Sequence, residues 1–157
     1  MVKIEFASYM YKINQAYDYS KVEDFTAMDI FKCPYKSNSF KPSFKKIMLE
    51  IFNGKCAYCG IDLKSISMVA IDHIRPKSKG GSHNIYNLAC CCKKCNSIKC
   101  AYDFNQFRKM LVLNLNGFSG IINVKQAEEL ELKGIDLKLD WNRLFEFERV
   151  FNANEGI

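Results

Sequence analysis

Cys56 and Cys59 form one C-x-x-C pair, and Cys92 and Cys95 form a second, 32 residues further on. Two such pairs at this separation fit a four-thiolate, tetrahedral zinc site. A C-x-x-C turn aims two sulfurs at one point, and two turns close the shell. No position stays open for water, so a zinc held this way is structural rather than catalytic. Between the pairs lies Asp72-His73, and directly after the second pair lies Asn96. Imidazole titrates near neutral pH and suits a general base. A carboxylate and an amide oxygen are hard donors and suit magnesium or manganese. Beside a zinc-clamped turn, this set points to metal-assisted hydrolysis. The base deprotonates water, while a divalent cation polarises a phosphoryl oxygen and stabilises the leaving oxygen.

The run reads CAYCG at 56–60, IDHIRPKSKGG at 71–81 and NIYNLACCCKKCNSIK at 84–99. Over roughly residues 44–100 this pattern resembles the HNH endonucleases, whose core is a ββα-metal unit. The name-giving positions are His73, Asn87 and Asn96, separated by 14 and 9 residues. That spacing is similar to the HNH domains of CRISPR effector nucleases. The resemblance implies the same roles for His73, Asp72 and Asn96, with 5′-phosphate and 3′-hydroxyl products. It also implies that Asn87 holds the long loop to the strand and so orients the base. Arg75 and Lys99 are candidate phosphate contacts. His83 has two readings, an aid to the metal or the phosphate and a solvated side chain alone in its loop, and the solvated one is preferred.

The elements that position these residues follow from pattern and composition. The chain has 157 residues and is 48% hydrophobic, enough for a real core. No run of about 18 apolar residues suggests a transmembrane helix. The first residues carry charges where a signal peptide needs an apolar centre. A cytoplasmic protein is expected, with its eight cysteines used for metal and packing rather than disulfides. Cys92 is preferred over Cys90 and Cys91 as ligand because CKKC repeats the first pair's geometry. Cys33, Cys90, Cys91 and Cys100 are then small core residues.

Charge is uneven. Residues 1–31 carry net −2, residues 32–109 net +11 and residues 110–157 net −3. A positive field on the middle segment concentrates polyanions and speeds their association. DNA is the expected partner, with RNA and single strands still open. Lys41, Lys45 and Lys46 fit a phosphate backbone and an ordinary solvated face equally well.

The expected class is α+β: a ββα-metal core over 41–113, an N-terminal extension over 1–40 and an acidic helical segment over 114–157. A short strand is expected near Val2–Phe6, then helix, with the aromatics of 1–31 in the core. A loop spans 32–43. A helix over Ser43–Phe52 has an apolar stripe of Phe44, Ile47, Met48 and Ile51, Pro42 in its first turn and Gly54 past its end. SMVAI at 67–71 reads as a strand that delivers Asp72 and His73. A loop over 74–86 returns to an antiparallel strand over 88–91. One helix is expected from Cys92 to about Leu113. A break over 114–120 precedes helices at 124–132 and 139–151. In the last, Trp141, Leu144, Phe145 and Phe151 form the buried face and pack on the core.

The leading expectation is a metal-dependent DNA endonuclease or nickase. Its rival is a non-catalytic zinc module that binds nucleic acid or protein; a module needs the C-x-x-C pairs but not Asp72, His73 and Asn96 together. A third possibility is the nuclease part of a larger assembly, as in restriction, anti-phage defence or mobile-element systems, with a partner protein or a homodimer. No membrane role is expected.

Overall fold

The computed structural model describes residues 2–33 and 39–157, with side chains from Glu5 onward. Pro34, in the loop expected over 32–43, lies outside the described residues. The chain forms α1 (Val2–Ala16), α2 (Ala27–Ile30), α3 (Pro42–Ile51), β1 (Val69–His73), β2 (Leu88–Cys92), α4 (Lys93–Lys99), α5 (Phe104–Leu115), α6 (Val124–Leu132) and α7 (Glu146–Glu155). This is the expected α+β arrangement, a small antiparallel sheet embedded in helices. Among the described residues, no helix is long and apolar enough to cross a membrane.

The two strands pair in a register that sets Val69 opposite Cys92 and His73 opposite Leu88. β2 is buried along its whole length. Small side chains there let neighbours approach: the Ala57 amide donates to the Cys90 carbonyl at 3.0 Å and ties the first cysteine turn to the strand. Pro42 opens α3 at its first turn, and Phe44, Met48 and Ile51 face the core, with Ile47 packed at its margin.

The main core draws on both arms of the chain as well as its middle. Phe6, Ile13, Tyr17 and Tyr19 from the N-terminal part join Tyr58, Phe104, Phe107, Phe145 and Phe147. The rings pack mainly edge to face, as between Tyr58 and Phe107 at 5.1 Å. Such aromatic pairs contribute about 0.5–1.5 kcal/mol beyond simple burial. The N-terminus of α7 docks on the first cysteine turn, where the amides of Glu146 and Phe147 donate to the carbonyls of Tyr58 and Ala57. Gly60 permits this approach, since a Cβ there would lie 2.7 Å from the Glu146 carboxylate. Arg108 on α5 grips Glu148 on α7 with two hydrogen bonds of 2.8 and 3.0 Å.

Four expectations are corrected. Val2–Phe6 is helix, not strand; its alternating pattern yields to the packing of Phe6 edge-on against Phe104 at 6.0 Å. The helix expected from Cys92 to Leu113 is two helices. Cys100 turns the chain with φ 45° and ψ −122°, and Asp103 caps a new helix by accepting from the Gln106 amide at 2.8 Å. The last helix starts at Glu146 rather than 139. Asp136 and Asp140 accept from the amides two residues on, and these local turns compete with helix. Trp141 therefore leaves the main core, joins a small second cluster around Leu113, Val124 and Ala127, and donates to Glu131 at 2.7 Å. Leu144 is exposed. Finally, Cys90 and Cys91 are buried as expected, but Cys33 is only half-buried and Cys100 is exposed.

Candidate active site

The sulfurs of Cys56, Cys59, Cys92 and Cys95 all lie within 4.8 Å of one another. Tetrahedral thiolates at about 2.3 Å from zinc stand about 3.8 Å apart, and Cys59 and Cys92 stand 3.9 Å apart. The donor set therefore fits zinc with little movement. Three of the four side chains are buried and the fourth is half-buried. Contact with their neighbours, Cys59 first for Cys56 and Cys56 first for Cys95, pushes both thiols up. Contact with Cys56 draws Cys92 down and Cys59 down to about 7. Four sulfurs this close cannot all ionise without a cation between them. The Cys92 sulfur also caps α4, accepting from the Cys95 amide at 3.3 Å.

β1 carries Asp72 and His73 on opposite faces, as successive strand residues must be. A cleft of about 660 Å³ runs along this strand, and Asp72, His73, Asn96, Lys45, Lys77 and Lys93 all contribute to its lining. The expected acid, imidazole and amide thus share one cavity, with three lysines around it.

Asp72 is 6% exposed. Tyr58 donates to its Oδ2 at 2.5 Å, and the Lys99 ammonium lies 2.8 Å from the same atom. Burial pushes the carboxyl up, while Lys99 and Tyr58 oppose that rise. Lys99 was expected to contact phosphate. It does not: it is 0% exposed, its ammonium bridges Asp72 and the His73 carbonyl at 3.0 Å, and Phe104 lies beneath it. The lysine one turn past Asn96 is an internal partner of the acid. Tyr58 was not anticipated from sequence. Nothing in its spacing links it to Asp72, since the fold alone brings the cysteine turn against β1.

His73 is half-buried at the end of β1. Burial, helped by His83, Lys77 and Lys99, holds its imidazole down at about 4. It is therefore neutral at physiological pH, as a base requires. His83, half-exposed in its loop, is not isolated there: its Nδ1 lies 3.1 Å from His73 Nε2.

Asn87 staples the loop. Its side-chain oxygen accepts from the Arg75 amide at 2.8 Å, and its Nδ2 donates to the carbonyls of Arg75 and Ser82 at 3.1 and 2.8 Å. Gly81 makes this possible: a Cβ there would fall 1.8 Å from the Arg75 carbonyl. The Ile74 amide donates to the Asn87 carbonyl at 2.8 Å and fastens the same point to the strand end. Arg75 donates through Nε to the Lys79 carbonyl at 2.7 Å and so braces the loop from within.

Residues 56–112 match the family model described as HNH endonuclease, so that segment holds an HNH-family domain. The matched stretch begins at the first cysteine of the sulfur cluster and contains Asp72, His73, Asn87 and Asn96. No curated protein and no solved structure matches the chain.

Proposed function

We propose that the protein is a metal-dependent endonuclease that hydrolyses phosphodiester bonds in DNA. The observation that carries this reading is the shared cleft: base, acid and amide line one cavity beside a four-sulfur cluster, within a positively charged segment. Asp72 and Asn96 would hold a magnesium or manganese ion through hard oxygen donors. When bound, that ion stabilises negative charge on the phosphoryl and leaving oxygens. Lys99 and Tyr58 fix Asp72 through Oδ2, so its other oxygen would be the donor to such an ion.

His73 removes a proton from water. The hydroxide attacks phosphorus, and the bond to the 3′ oxygen breaks, leaving a 5′-phosphate and a 3′-hydroxyl. Lys45, Lys77 and Lys93 attract the backbone. The zinc cluster takes no part in the chemistry; it fixes the start of α4 and hence Asn96.

Incubation with supercoiled plasmid tests this. Nicked or linear product is expected with magnesium or manganese and is lost when they are omitted or when His73→Ala is used. Cleavage that persists in His73→Ala removes the proposed base. An inert wild-type protein under all metals leaves only a zinc-binding module.

A further inference from the structure

His83 touches the candidate base and has no role in the chemistry above. Its Nδ1 lies 3.1 Å from His73 Nε2, and its Nε2 lies 2.6 Å from the Lys77 ammonium. Phe31 stands edge-on against the ring at 5.2 Å and limits its rotation. A neutral imidazole has one N–H donor and one bare acceptor nitrogen, whereas an ammonium can only donate. Lys77 therefore requires a bare Nε2 on His83. The His83 proton then sits on Nδ1 and is donated to His73 Nε2. His73 must accept there, so its own proton sits on Nδ1. In this state neither ring nitrogen of His73 can take a proton from water. One is engaged and the other is already protonated.

Removal of Lys77 lifts that requirement and lets the chain reverse, since each ring can then carry its proton on Nε2, the nitrogen a free imidazole prefers to protonate. His83 then carries its proton on Nε2 and accepts through Nδ1. His73 donates through Nε2, and its Nδ1 becomes bare. Each ring keeps one proton, exchanged with solvent, so no charge changes. Lys77 is exposed and lines the same cleft as His73. A phosphate bound there is a stronger partner for an ammonium than a neutral ring.

We propose that Lys77 and His83 form a tautomer switch that keeps the His73 base blocked in the free protein and frees its Nδ1 when a backbone phosphate draws Lys77 away. The switch rests on the reading of His73 as the base, and makes His83 a positioning residue.

Nitrogen NMR of the zinc-loaded protein labelled at histidine reads the tautomers directly. In the free protein, His73 Nδ1 is expected to give the signal of a protonated ring nitrogen and Nε2 that of a bare one. Lys77→Met, or a short DNA duplex added without magnesium or manganese, is expected to exchange the two. A bare Nδ1 in the free protein, or no exchange under either change, overturns the switch. In kinetics, His83→Ala is expected to lower kcat about 10- to 100-fold with little change in KM, by analogy with the loss of a group that orients a metal-bound imidazole. His83→Gln, which can still accept from His73, is expected to recover part of it. An unchanged kcat in His83→Ala overturns the positioning role. Because the NMR needs no cleavage, exchanging tautomers in an inert protein would sink the nuclease reading alone. Fixed tautomers in an enzyme killed by His73→Ala would sink the switch alone.

Discussion

The sulfur cluster and the cleft meet at one short helix, α4, which carries Cys95 on one side and Asn96 on the other, yet they are built in opposite ways. The cluster is closed: four like donors converge, mostly buried, at separations that already suit one ion. The cleft is open, its donors are unlike, and most are held by other protein groups. Asp72 is gripped by Tyr58 and Lys99 and His73 by His83, while Asn87, buried behind the cleft, is held by the loop it fastens. A structural metal site gains by completing its own shell. A catalytic one gains by leaving room for substrate while neighbours fix each donor.

Perturbing the two regions separately should give different losses. The largest effect is expected at the cluster. Cys56→Ser, or removal of zinc by a strong chelator, should cost on the order of 10 kcal/mol and leave the protein unfolded; equal thermal stability with and without chelator would break the contrast. Next comes His73→Ala, expected to reduce cleavage about 10²- to 10⁴-fold with an unchanged melting temperature. Parallel loss of fold in that variant would make the cleft as structural as the cluster.

Lys99→Ala blurs the boundary by design. It leaves the Asp72 carboxylate buried without its cation, at a cost of about 3–5 kcal/mol, measurable by urea unfolding, and it should reduce activity as well. A stable, active Lys99→Ala variant would mean that Asp72 does not need the pair. A gentler perturbation is pH. His73 is held down at about 4, below its ordinary value of 6.5, so the neutral base survives as pH falls through 6.5 and is lost only near the lower value. The acid limb of the rate profile should therefore have its midpoint below 6.5; a midpoint at or above 6.5 would show an unperturbed imidazole. The smallest effect is expected at the rim of the cleft, at Cys100, whose φ of 45° with ψ of −122° suits glycine. Cys100→Gly should raise stability by about 1 kcal/mol in chemical denaturation.

The cluster was legible in the sequence because two C-x-x-C pairs encode most of its geometry locally. Asn87 was legible for a related reason: resemblance placed it, and its role needs only the loop beside it. Lys99 was misread because its spacing from Asn96 is correct on a helix, whereas its direction depends on Asp72, 27 positions earlier. Tyr58 and His83 were missed for the same reason. Their partners are chosen by strand register and loop path, which no short pattern records. The arms show this at larger scale. Val2–Phe6 alternates like a strand, and only its neighbours across the core make it helix. At 136–145, aspartate side chains drew the backbone into local turns where apolar spacing suggested helix.

The docking of α7 on the first cysteine turn sets a practical limit on domain engineering. Excising residues 56–112 by the borders of their family match would discard the groups that accompany Tyr58 and Phe104 from both sides. It would expose a sheath of aromatic rings and leave two knuckle carbonyls to find water instead. A transplantable cassette must carry Phe6 to Tyr19 and Phe145 to Phe151 along with the motif, because this nuclease-like centre borrows its walls from segments that bear none of its signature.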